Sequence, residues 1–286
     1  MSATQLLIEP GDLARRLGDR KLRIFDAAVK LEPDGTRYRV ISGLADYEKA
    51  HIPGAAFMDL IAALSDTSTG LGFTLPAIDK LATAVGELGI AADDHVIVYS
   101  SAHMMWATRG FWLLGYLGHK RVSVLDGGLE RWRKEGHPIE SGNNRYPAAR
   151  YLPDPRPQRF VLLEEMSRIV EQGRVCVANT LSPKVFSGEA SFHYGRPGHI
   201  PGSINVPTDQ LLVDGSFPPP GDLRKALAER GLGGESRTVT YCGGGISATV
   251  PAFARLLLGL NDTAVYDGSM SEWIRAERPL KTGAEP

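Results

Sequence analysis

The chain has 286 residues, 43% hydrophobic and 23% charged, the balance of an ordinary globular protein with room for two domains. A formal net charge of −1 leaves no basic surplus for nucleic acid or an anionic membrane surface. Two cysteines, Cys176 and Cys242, are too few for a disulfide framework or a cysteine-rich metal site, and neither a metal nor a cofactor is expected.

Taken in chain order, Met1–Pro10 has no basic n-region and too short an apolar run for a signal peptide, so a reducing cytoplasm is the expected location. Residues 22–28 read as a strand, 75–88 as a helix with apolar residues at helical spacing, and 95–99 as a second strand. Residues 106–117 read as a helix and 122–125 as a strand. The most apolar stretch, 110–118, is far too short to span a bilayer. Residues 146–157, rich in Pro and Arg, read as a semi-extended linker. Beyond it the pattern returns, with strands over 175–178, 238–241 and 263–266 and helices over 223–230 and 250–258. Cys176 falls in the first of these strands and reads as a buried structural cysteine.

The second half repeats the first. His51-Ile52-Pro53-Gly54 recurs as His199-Ile200-Pro201-Gly202. Asp126-Gly127-Gly128 with Trp132 recurs as Asp267-Gly268-Ser269 with Trp273, and both tryptophans read as core anchors. Between these anchors, Val96–Ser100 parallels Val239–Cys242. Three matches in one order imply two copies of a single domain, each of roughly 130 residues. The expected division is 1–142, a linker over 143–157, and 158–286. Strands alternating with helices imply α/β domains, each a parallel sheet flanked by helices, with ligands at the carboxyl ends of the strands.

Cys242 falls at such an end. An apolar run, Val239-Thr240-Tyr241, leads to it, three glycines follow, and then an apolar helix. Loop N–H groups and a helix N-terminus both favour negative charge, and the thiolate is the nucleophilic form of cysteine. Cys242 therefore reads as a nucleophile. The N–H groups of Gly243, Gly244, Gly245, Ile246, Ser247 and Ala248 are the candidate anion cradle. The first copy carries Ser100 at this position; His103 is nearby, but no glycine elbow surrounds Ser100, and an unactivated serine is a poor nucleophile.

Together, the duplicated His-Ile-Pro-Gly, the Asp-Gly-Gly/Ser…Trp ending of each half and the loop cysteine resemble the tandem-domain rhodanese superfamily of thiosulfate and 3-mercaptopyruvate sulfurtransferases. The resemblance implies two rhodanese-like domains, the first catalytically silent and the second active. It also implies a Cys242 persulfide that takes sulfur from a small-molecule donor and passes it to a thiophilic acceptor, cyanide or a thiol. Thiosulfate-using members carry basic residues in the loop, whereas positions 243–247 here hold no Lys or Arg. The loop is closer to the Cys-Gly-Ser/Thr-Gly pattern of the 3-mercaptopyruvate enzymes, with Gly244 where their hydroxyl stands. Asp59 matches the acid those enzymes draw from the first domain, and Phe73 stands where they have a His. The family's Asp-x-Arg is Asn179-Thr180-Leu181 here, which leaves Lys184 and Arg196 as candidate donor-binding cations. His199 is expected to pack or bond within its turn, as its counterpart His51 would in the silent half. On loop charge, 3-mercaptopyruvate is the preferred donor.

Other readings make different demands. A cysteine phosphatase needs Cys-x5-Arg, and the sixth residue after Cys242 is Ala248. A persulfide carrier or redox sensor would use the same loop without turnover. A purely structural duplicated domain would leave Cys242 unreactive. The oligomeric state is not legible.

Overall fold

Two five-stranded parallel sheets organise the computed structural model, which describes residues 6–34 and 37–286. The first five positions of the stretch read as lacking a signal peptide lie outside the described residues. The strands in chain order are β1 (Leu7–Ile8), β2 (Leu22–Asp26), the antiparallel hairpin β3 (Val29–Asp34) and β4 (Arg37–Ser42), β5 (Ala56–Phe57), β6 (His95–Tyr99) and β7 (Val122–Leu125). The second half supplies β8 (Phe160–Val161), β9 (Cys176–Asn179), β10 (Ser203–Asn205), β11 (Thr238–Tyr241) and β12 (Thr263–Tyr266). The first sheet has the order β1-β7-β6-β2-β5 and the second β8-β12-β11-β9-β10. Each strand thus has a counterpart at the same place in the other sheet, as the repeats imply. The central strands are buried along nearly their whole length because helices cover both faces.

The helices are α1 (Pro10–Ala14), α2 (Leu44–Lys49), α3 (Ile78–Glu87), α4 (Met104–Tyr116), α5 (Gly128–Lys134), α6 (Leu163–Gln172), α7 (Pro183–Ser187), α8 (Pro220–Glu229), α9 (Thr249–Leu257) and α10 (Ser269–Arg275). Local chemistry explains where their starts depart from the periodicity. Helix α4 begins at Met104 because the His103 Nδ1 accepts from the Met105 N–H at 3.1 Å. Helix α8 begins at Pro220, whose fixed φ suits a first turn. Strand β2 ends at Asp26 because its carboxylate accepts from the Ala28 N–H at 3.0 Å and turns the chain. The β3–β4 hairpin had no counterpart in the periodicity. Among the described residues, no helix is long and apolar enough to cross a membrane.

The repeated motifs have structural duties. Trp132 and Trp273 are buried, and their Nε1 groups donate to the carbonyls of Pro138 (2.8 Å) and Pro279 (2.7 Å). His51 and His199 are fully buried and stacked on Tyr47 and Phe186, with each Nδ1 bonded to the carbonyl of the residue it stacks on. Asp126 and Asp267 follow β7 and β12, and each reaches across to the other half. Asp126 accepts from the Phe217 N–H at 2.9 Å and Asp267 from the Leu75 N–H at 2.7 Å. Helices α4 and α9 complete this pseudo-symmetric interface, with Phe111 edge-on to Phe253 at 4.7 Å and a 2.7 Å hydrogen bond between the Thr108 and Thr249 hydroxyls.

The linker has partners of its own, and one expectation, that Cys176 is buried, needs adjusting. Residues 146–156 have no regular structure but do not hang free. Ala149, Asp154 and Arg156 donate their N–H groups to Gly86, Leu117 and Tyr116, which straps the segment to the first half. Cys176 is half-buried rather than buried because it is the first residue of β9, one position before the pairing with β10 begins; what burial it has pushes its thiol pKa upward.

Candidate active site

Cys242 is the first residue past β11 and is 2% exposed. Its N–H donates to the Ser269 Oγ at 3.1 Å, and that hydroxyl donates in turn to the Tyr266 carbonyl at 2.9 Å. Ser269 is held at φ 49°, so the Asp-Gly-Ser turn that clasps the other half also supports the cysteine.

The loop is anchored by its carbonyls. Gly243 O accepts from the N–H and hydroxyl of Ser271, at 3.0 and 2.8 Å. Ile246 O accepts from the Thr249 Oγ1 (2.7 Å), Ser247 O from the Thr208 Oγ1 (3.2 Å) and Ala248 O from the Thr240 Oγ1 (2.8 Å). With the carbonyls engaged, the N–H groups of residues 243–248 are left over. Among the described residues none of them has an acceptor. A run of unpaired N–H groups leading into a helix N-terminus beside a cysteine suits an anion.

Two glycines are required. Gly245 has φ +75°, and a Cβ there would lie 2.4 Å from the Asp267 carbonyl oxygen. A Cβ on Gly243 would fall 1.9 Å from the Tyr194 ring. The Tyr194 phenol therefore lies directly on the loop. Burial and the neighbouring Cys242 push its pKa well above the ordinary 10, so it stays a hydrogen-bond donor.

Arg109 enters from the first half on α4 and is 1% exposed. It donates to the Asp267 carboxylate (2.9 Å), the Gly245 carbonyl (3.3 Å) and the Phe73 carbonyl (2.6 Å). One buried cation thus joins the clasp, the loop and the first-domain wall. It was missed in the sequence because α4 reads as a plain apolar helix. The available signal was a lone arginine in that run, which must find partners when buried.

A cavity of about 600 Å³ opens over Cys242, with Gly243, Gly244, Ile246 and Ser247 in its wall. Gly245 and Ala248 do not face it. Phe73 does, at φ 62° with its ring 5.2 Å from Trp106, so an aromatic wall stands where the resemblance would put a His. Three candidates lie elsewhere. The Arg196 guanidinium donates to the Arg278 carbonyl at 3.3 Å, outside the cavity wall. Lys184 sits on α7, also outside it. The Asp59 carboxylate caps its own turn, accepting from the N–H groups of Ile61 (2.8 Å) and Ala62 (3.1 Å). In the first half, Ser100 accepts from the Ala102 N–H, and the His103 Nε2 lies 3.3 Å from Asp209, so the two form no pair.

Comparison with known proteins agrees with this architecture. The rhodanese-like domain model matches residues 9–135 and 181–276. The chain is 30% identical over 272 residues to the 3-mercaptopyruvate sulfurtransferase of Escherichia coli K12, covering 94% of this chain and 95% of that protein. It is 34% identical over 281 residues to the thiosulfate sulfurtransferase of Mus musculus, covering 92% and 88%. The crystal structure of SseA from Escherichia coli, a rhodanese-fold 3-mercaptopyruvate sulfotransferase, superposes with a TM-score of 0.83 at 29% identity, covering 94% of this chain and all of that one. Tum1 from Saccharomyces cerevisiae, at 24% identity and a TM-score of 0.85, shares the fold over the full length of both chains. With its paired parallel sheets, its loop cysteine and these relatives, the chain belongs to the rhodanese-like domain family as a two-domain enzyme of the sulfurtransferase type.

Proposed function

We propose that this enzyme moves sulfane sulfur through a persulfide on Cys242. The observation that carries the reading is the set of unpaired N–H groups at 243–248 around a cysteine in a cavity wall. The Cys242 thiolate attacks the donor's sulfane sulfur, and the bond between that sulfur and the donor breaks with its electron pair leaving on the donor. The persulfide anion is held by the loop N–H groups, with the Tyr194 phenol as a further donor. The acceptor, cyanide or a thiol, then takes the outer sulfur and regenerates Cys242.

Of the donors named for the relatives, 3-mercaptopyruvate suits the site better than thiosulfate, because no cation in the loop offsets a second negative charge. The first domain contributes the cavity wall and Arg109 as a positioning residue. Arg196, Lys184 and Asp59, away from the cavity, have no donor contact in this mechanism.

The test is thiocyanate formation from cyanide, with each donor offered separately to wild type and Cys242→Ser. Turnover that vanishes in the variant is expected. Turnover that persists in Cys242→Ser would overturn the mechanism. A stable persulfide with no turnover on either donor would favour the carrier reading instead.

A further inference from the structure

The cavity over Cys242 is larger and more apolar than a small anionic substrate requires. A donor or acceptor of five to seven heavy atoms fills on the order of 100 Å³, whereas the cavity holds about 600 Å³, within the range of drug-sized ligand pockets. Among the described residues no Lys, Arg, Asp or Glu lines it. Five aromatic rings do: Tyr38, Phe73, Trp106, Phe192 and Tyr194.

The outer wall is a dedicated structure. Between β2 and α2 the first half inserts the β3–β4 hairpin, whereas the second half has only residues 180–182 between β9 and α7. Leu31 and Val40 are directly paired on the hairpin, and Tyr38 lies two residues from Val40, so all three share one face. That face looks into the cavity, and each of the three is at least 40% exposed. Tyr38 meets Phe192 of the second half edge-on at 5.1 Å, and Phe192 meets Tyr194 at 5.1 Å. A row of rings therefore leads from the hairpin to the loop. Apolar surface left open on one side of a catalytic cysteine needs an apolar partner. Against the hairpin face a charged partner would lose hydration with no charged side chain among the described lining residues to offset it, since the anion-holding N–H groups lie on the loop at the far end of the row of rings.

We propose that this cavity takes, as sulfur acceptor, an uncharged thiol with an aromatic or comparably large apolar body; the proposal rests on the Cys242 persulfide mechanism above. The acceptor's thiolate attacks the outer sulfur of the persulfide. The S–S bond to Cys242 breaks with its electron pair staying on Sγ. The proton given up by the acceptor returns to one of the two product sulfurs, so a thiol and a persulfide exchange one sulfur with no oxidant or reductant.

The test loads the full chain with sulfur from 3-mercaptopyruvate, thiosulfate or inorganic polysulfide, with the added sulfur on Cys242 read by intact mass. The decay of that species is then timed with subsaturating 2-phenylethanethiol, 2-mercaptoethanol or 2-mercaptoethanesulfonate. We expect 2-phenylethanethiol to discharge it at least about 10-fold faster than either of the others, because its ring is buried on binding. Tyr38→Ala and Phe192→Ala, both at the rim, should bring that ratio towards one. Equal rates, a faster reaction with the charged thiol, or an unchanged ratio in both variants would overturn the acceptor proposal while leaving the persulfide mechanism intact. Failure to load sulfur from any donor would overturn the mechanism itself, and this proposal with it.

Discussion

Replacing Asp26 with Asn should stabilise the protein at neutral and alkaline pH and have little effect in acid. Asp26 ends β2 with no exposed surface. One carboxylate oxygen accepts from the N–H groups of Ala28 (3.0 Å) and Ser101 (3.1 Å), and the other has no partner. Burial raises its pKa from 3.8 to about 6, an effect that outweighs the hydrogen bonds from Ser101 and Ala28. The folded state therefore keeps the proton more tightly than the unfolded chain. Stability falls as pH rises through the window between those two values, and the full cost is present above it. The gap corresponds to ~3 kcal/mol, about half of which is already present at pH 5. Asn keeps the accepting oxygen and removes the titration. The second half already uses this solution, since Asn179 ends β9 with its Oδ1 accepting from the Leu181 N–H at 2.9 Å. Urea unfolding of Asp26→Asn and wild type at pH 5 and pH 8 should show the variant's advantage growing by about 1 to 2 kcal/mol between the two. A difference that does not change with pH would refute the reasoning.

Gly243→Ala drives a Cβ into the Tyr194 ring, so steady-state sulfur transfer should fall by at least about 10-fold while the melting temperature barely moves. Arg109→Met strands the buried Asp267 carboxylate and should cost roughly 3–5 kcal/mol in thermal unfolding. Adding Asp267→Asn should recover part of that loss, because the two residues act as a pair. Ser269→Ala removes the acceptor for the Cys242 N–H and should destabilise by about 1–2 kcal/mol, measured by denaturant unfolding, with slower persulfide formation in single-turnover assays.

Much of this molecule was legible in one dimension. Two copies of a motif in the same order imply two copies of a fold, and the short β-prone runs at 95–99, 122–125, 238–241 and 263–266 are strands buried on both faces. Cys242 stood out for a local reason: a strand end, three glycines and a helix start are all encoded within a dozen residues. The rest depended on contacts between segments distant in sequence. Arg109 is 158 residues from its partner Asp267, and nothing in its own helix signals that pairing. The Asp-Gly motif reads as a turn, yet its carboxylates clasp the opposite half. Arg196 and Asp59 carry suitable chemistry, but side-chain chemistry does not determine direction, and both are held by nearby backbone groups away from the cavity. The hairpin that walls the cavity escaped notice because its apolar residues face a cleft rather than a core. Local patterning determined the strands, the repeat and the loop cysteine; only tertiary packing, which brings the first domain's hairpin and arginine against the second domain's loop, decided the shape and charge of the space around that cysteine.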